Sequence, residues 1–158
     1  MALWRVVVLT LAAITTGSLA LGTSAAATPA RPAPLTAAPQ SVADTPCTVT
    51  ARACVDLANR HAWLLDNGTV VRGPVSFADG DADTPTPRGT FKVEWKAEEY
   101  TSRTYLVQMP YAVFFAPGGV AFHQGRQTTP SAGCVKLVRD DAVAFFDYLQ
   151  VGDEVQVK

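Results

Sequence analysis

Residues 28–46, TPARPAPLTAAPQSVADTP, divide the chain into a part that cannot build a core and a part that can. The segment is rich in alanine, proline, serine and threonine and carries no periodic apolar face. It buries too little surface to offset its ordering entropy, so it is expected to be a disordered spacer. Ahead of it, Met1 to Arg5 supplies one positive charge, VVVLTLAAITTGSLALG an apolar run, and SAAAT the small residues that signal peptidase prefers. Residues 1–27 are therefore expected to be a secretory signal. The rival reading is an uncleaved membrane anchor, since the run approaches a bilayer-spanning length. Cleavage would leave no stable membrane insertion and place the protein outside the cell or in its wall. No cysteine stands at the cleavage site, so nothing points to a lipid-modified amino terminus. The folded part is then 47–158, about 110 residues, enough for one core and too few for two domains.

Thirteen basic and fourteen acidic side chains give a net charge of -1, and loss of Arg5 with the signal leaves about −2. Non-specific nucleic-acid binding needs a basic surface, so no nucleic-acid partner is expected. The cysteines say more. In an exported chain, Cys47 and Cys54, in PCTVTARAC, are spaced for a local disulfide, which leaves Cys134 as the odd thiol. A bridge from Cys134 to one of the other two, or a purely structural role for all three, stays open at this level.

Periodicity predicts a mainly β (α+β) domain. Short strands are expected at 54–57, 61–65, 69–71, 90–96, 104–109, 113–116, 120–122 and 155–157, with a hairpin turn at Asp66-Asn67-Gly68. Residues 79–89, DGDADTPTPRG, must be loop. One helix is expected after Leu137, capped by Asp140 or Asp141, carrying Val143, Phe145, Phe146 and Leu149, and ended by Gly152.

Few side chains then remain as candidates for chemistry. Asp79, Asp81 and Asp83 imitate the start of a calcium loop, but Thr84 and Thr90 occupy its glycine and glutamate positions. No metal is expected there, and His61 has no ligand at suitable spacing. Trp63 and Trp95 read as core or sheet-face residues rather than sugar platforms. His123 and Cys134, in FHQGRQTTPSAGC, are different. A thiol is mostly protonated at neutral pH and becomes a nucleophile with a base at hand. Gly133 permits close backbone approach, and neighbouring amides can face an oxyanion. Spacing alone does not decide between nucleophile and structural thiol. Papain-like and cell-wall amidase-type peptidases place cysteine before histidine, the reverse of this chain. Sortases share the order histidine, cysteine, arginine, which Arg139 could complete, but SAGCVKL lacks their threonine-rich approach.

FHQG followed by SAGCVKL, with DTPTPRGTF upstream and VGDEVQV downstream, resembles the L,D-transpeptidase (YkuD-type) catalytic domain family over about residues 54–158. The resemblance implies a compact mixed β-sheet domain with one main helix near the C-terminus and no cofactor, and a monomer is expected. It implies Cys134 as acylated nucleophile, His123 as base and later acid, Gly133 with Cys134 at the oxyanion site, and Ser131 supporting the turn or the histidine. Peptidoglycan stem peptides would be the partner, and carbapenems would acylate Cys134. Lys136, preferred, Arg126 and Arg139 are cations available for a substrate carboxylate, beside Gln124 and Gly125. Three departures stand out: Gln124 intervenes before Gly125, Ala132 replaces a common histidine, and Lys136 replaces arginine or asparagine. A wall-binding protein that has lost efficient transfer, and a carboxypeptidase using water, are the alternatives.

Overall fold

The computed structural model describes residues 40–158; the expected signal and spacer residues 28–39 lie outside the described residues. Nine strands and one helix follow in chain order: β1 (Ala53–Asp56), β2 (His61–Asp66), β3 (Thr69–Ser76), β4 (Gly89–Lys92), β5 (Trp95–Ala97), β6 (Ala112–Ala116), β7 (Val120–Gln124), β8 (Val135–Leu137), α1 (Arg139–Tyr148) and β9 (Glu154–Val157). They form two mixed sheets, ordered β3-β2-β1-β9-β4 and β5-β6-β7-β8. The parallel pairs are β1 with β9 and β7 with β8.

One core joins both sheets. Val55, Leu64 and Val155 from the first meet Phe115, Phe122 and Leu137 from the second. The helix covers the second sheet through Phe145, whose ring lies 5.0 Å from that of Phe122. Buried aromatic side chains of this size contribute most of such a core's apolar area. The β2–β3 hairpin turns through Asn67 and Gly68, with φ of 46° and 83°. Two consecutive positive φ values are what a tight two-residue hairpin needs, hence the Asn-Gly pair.

The structure departs from the sequence reading in five places. Within residues 40–46, otherwise mostly exposed, Val42 is packed: it is 4% exposed beside Trp63 and Leu65. Its amide donates to the Cys47 carbonyl at 2.9 Å. A single apolar residue in that segment found a hollow which composition could not reveal. The strand expected at 90–96 is two strands in different sheets. The Val93 amide bonds to Asp153 and the Glu94 amide to Phe114, both at 2.8 Å, so the chain changes sheets between them. Residues 104–109 form no strand: Leu106 has φ 52° and its amide returns to the Ser102 carbonyl at 2.9 Å. The alternation there faces solvent, and Leu106 is 82% exposed. The helix is capped at Val138, with Asp140 and Asp141 in its first turn. Asp141 instead accepts from Arg72 Nε at 3.0 Å and Nη2 at 2.6 Å, tying the helix to β3, and the helix ends at Tyr148, well before Gly152. Finally β8 was not anticipated, being three residues long and wholly buried.

Cys47 and Cys54 are bonded to each other, under Trp63 and Leu65. The bond closes a loop of sequence separation 7. Constraining a loop that short in the unfolded chain stabilises by about 2–3 kcal/mol. The double variant Cys47→Ala, Cys54→Ala is expected to lose that much in urea unfolding. An unchanged midpoint would mean that Val42, Trp63 and Leu65 hold the segment without the bond.

Candidate active site

β7 and β8 are parallel neighbours, with His123 beside Lys136 in the register. Their apolar residues anchor them in the core, so the connection between them is carried at a fixed place on the sheet edge. Cys134 immediately precedes β8. A cavity of ≈ 710 Å³ opens here, with His123, Cys134, Ser131, Arg126, Trp95 and Tyr100 among its walls. The sequence's nucleophile and base candidates thus share one concave surface, the usual setting for a small-molecule or peptide site.

His123 is 5% exposed. Its Nδ1 lies 2.8 Å from the Gln124 carbonyl. A carbonyl only accepts, so Nδ1 carries the proton and Nε2 keeps its lone pair. Burial pushes the imidazole below its ordinary value; the Gln124 carbonyl opposes this and the Lys136 charge adds to it. Cys134 is the free cysteine among the described residues. Burial pushes its thiol up, against the Ala121 amide and the Lys136 charge, which favour the thiolate. At neutral pH both groups are therefore uncharged. The thiol donates to the Gly119 carbonyl at 3.7 Å, and among the described residues no hydrogen bond joins it to the imidazole. Such an arrangement suits proton transfer during attack rather than a stored thiolate–imidazolium pair.

The turn carrying the thiol is held from two sides. The Ser131 hydroxyl donates to the Cys134 carbonyl at 2.6 Å. Gly133 has φ 101°, a conformation that side chains rarely adopt. Behind them lies the 79–86 segment. The Ser131 amide donates to Asp79 at 2.8 Å, and the Gly80 amide to the Thr86 hydroxyl at 3.0 Å. A Cβ on Gly80 would stand 2.9 Å from Gly133 Cα, so this loop presses directly on the cysteine turn. The Asp81 carboxylate closes its own turn, accepting from the Thr84 amide at 2.8 Å and the Asp83 amide at 3.0 Å.

The remaining candidates divide. Arg126 is exposed on the cavity wall. Gln124 contributes its carbonyl to His123, and the residue lines a neighbouring hollow of ≈ 510 Å³. Gly125 lies against the Lys136 stem, where a Cβ would come within 2.8 Å of Cδ. Lys136 is not a solvated cation: it is 8% exposed. Its ammonium bonds to the Thr129 carbonyl, the Thr129 hydroxyl at 3.1 Å and the Pro130 carbonyl at 3.3 Å. A substrate carboxylate would have to displace those bonds. Three contributions were not read from sequence: the Gly119 carbonyl, the brace at 79–86, and an aromatic wall. In that wall Trp95 stacks on Phe114 at 3.6 Å with Tyr100 edge-on at 5.3 Å. Alternation marked Trp95 as a sheet-face residue, but could not say that its face borders the cavity.

A model of the L,D-transpeptidase catalytic domain family, YkuD, matches residues 50–157. Among solved structures, an L,D-transpeptidase from Stackebrandtia nassauensis is 30% identical, with TM-score 0.63 over 67% of this chain and 54% of that one. An L,D-transpeptidase from Mycobacterium smegmatis is 27% identical, with TM-score 0.61 over 67% and 57%. An L,D-transpeptidase in complex with imipenem gives the same values, 27% and 0.61 over 67% and 57%. The chain thus spans little more than half the length of these structures. A comparison with curated proteins found no match.

Proposed function

Because the chain belongs to the L,D-transpeptidase (YkuD) catalytic domain family, we propose that it catalyses cysteine-dependent acyl transfer on peptidoglycan stem peptides, outside the cell membrane. The observation that carries this reading is the placement of Cys134 and a buried, neutral His123 on the wall of one cavity, with Nε2 available as base. His123 takes the thiol proton as sulfur attacks the carbonyl of the diamino acid that precedes the terminal D-alanine. The amides of Gly133 and Cys134 receive the oxyanion. Collapse breaks the peptide bond, His123 returns the proton to the departing D-alanine nitrogen, and a thioester remains on Cys134. An amine from a second stem then attacks. It loses a proton to His123, and sulfur leaves and recovers that proton. The products are a cross-linked dimer and the free thiol. In this reading Arg126, which with Arg103 is exposed on the cavity wall, holds the donor's carboxylate.

The test uses intact mass. Incubation with imipenem, which one structural relative binds, is expected to add one drug-derived mass to the wild type and none to Cys134→Ala. A tetrapeptide stem should yield a dimer. Trimmed monomer alone would favour hydrolysis, and no adduct with unchanged peptide would favour a wall-binding protein of the same fold.

A further inference from the structure

Lys136 is held more firmly than a substrate-binding cation needs to be. Its backbone is bonded on one side to Ala78, amide to carbonyl at 2.8 Å and carbonyl from amide at 3.1 Å, and stands beside His123 on the other. Its stem runs beneath Gly125, and its ammonium has all three protons engaged by Thr129 and Pro130. Those two residues lead into Ser131, whose hydroxyl holds the Cys134 carbonyl. Lys136 also follows Cys134 by two residues, so in extended chain both side chains turn to the same face, and both line the cavity.

We propose that Lys136 is a positioning residue for the nucleophile: it pins the 129–131 segment that sets the cysteine turn, and it places a fixed positive charge on the thiol's side of the sheet. The charged and titratable groups around it are His123 from β7, Arg126 and Cys134 from the connecting loop, and Asp79 and Asp81 from the bracing segment. Asp79 is paired with Arg60 at 3.1 Å and Asp81 closes its own turn, so neither carboxylate is given over to the ammonium. The Lys136 charge favours the Cys134 thiolate and disfavours a charged His123, which suits a neutral base beside a thiol about to ionise. This role rests on Cys134 being the nucleophile.

Alkylation by iodoacetamide reads the thiol without needing substrate. In Lys136→Met, alkylation near pH 7.5 is expected to slow about tenfold, and its alkaline rise to move up by about one pH unit. On a tetrapeptide donor kcat should fall with KM little changed. Lys136→Arg, which keeps charge and donors, should restore most of both. Lys136→Gln keeps donors without charge. It guards against a methionine variant that fails to fold, and is expected to fold while still showing the shifted profile. A wild-type profile and kcat in both uncharged variants would overturn the proposal. So would a rise in KM alone, which would return Lys136 to carboxylate binding. A wild-type thiol inert to iodoacetamide at every pH would instead fail the nucleophile reading itself.

Discussion

Replacing His123 with alanine is expected to slow imipenem acylation of Cys134 by about two to four orders of magnitude, the usual loss when a positioned general base is removed. The effect should be this large because burial keeps the thiol protonated, so attack needs a base, and His123 with its free Nε2 lines the same cavity. The direction of the histidine shift adds a second expectation. Burial lowers the His123 pKa from 6.5, and only the neutral imidazole can act as base. The acid limb of the kcat/KM profile should therefore fall below pH 6.5, with activity retained where an ordinary histidine would already be protonated. Stability follows the same sign. The unfolded chain takes up this proton around 6.5 while the folded chain resists it, so the contribution is complete above 6.5 and is lost as pH falls towards the folded value. Stopped-flow acylation of wild type and variant across pH checks the rate and the acid limb, and urea unfolding of both across the same range checks the stability. An acid limb at or above 6.5, or an alanine variant within threefold of wild type, would remove His123 from the role of base.

What could be read from the residues follows from the range of the forces involved. The Asn67-Gly68 hairpin, the C-x6-C bridge and the helix carrying Val143, Phe145 and Phe146 are local, decided by turn chemistry and period within a few residues. The pairing of His123 with Cys134 was legible only as order along the chain, and drew its weight from the family motif. Their shared cavity depends on β7 and β8 lying parallel, and β8 is too short and too buried to leave a periodic signature. Lys136 reads from sequence as a cation for a substrate carboxylate rather than a buried one, because lysines are seldom buried without partners, and its partners come from the loop before it rather than from any motif. The strand expected at 104–109 failed for the opposite reason. Tyr105, Leu106 and Val107 alternate in a loop, where nothing packs on them, and 54%, 82% and 49% of their surfaces stay exposed.

Gly80→Ala is expected to be the most damaging single-methyl change in the described domain, although Gly80 does not line the cavity. Its added Cβ would lie 2.0 Å from the Thr84 carbonyl, 2.8 Å from the Thr86 amide and 2.9 Å from Gly133 Cα, all backbone atoms that no rotamer change can move. Overpacking of this kind costs about 3 kcal/mol. Relief requires either the brace or the cysteine turn to shift, and the turn is tied to the brace through the Ser131 amide and Asp79. Iodoacetamide and imipenem should therefore both react more slowly with Cys134, by about tenfold, in molecules that remain folded, because a small misplacement of a nucleophile is costly. Gly152→Ala separates crowding from backbone strain. Gly152 has φ 96° with nothing within 4 Å of its Cβ position, so alanine there should cost about 1 kcal/mol and leave Cys134 reactivity unchanged. Urea unfolding with parallel alkylation rates compares the two. If Gly80→Ala unfolds no more easily than Gly152→Ala and reacts at the wild-type rate, the 79–86 segment yields freely and does not set the cysteine turn. If it is destabilised and slowed together, the proline-threonine segment upstream belongs to the site through its backbone as well as through Asp81 and Thr84, which line the cavity.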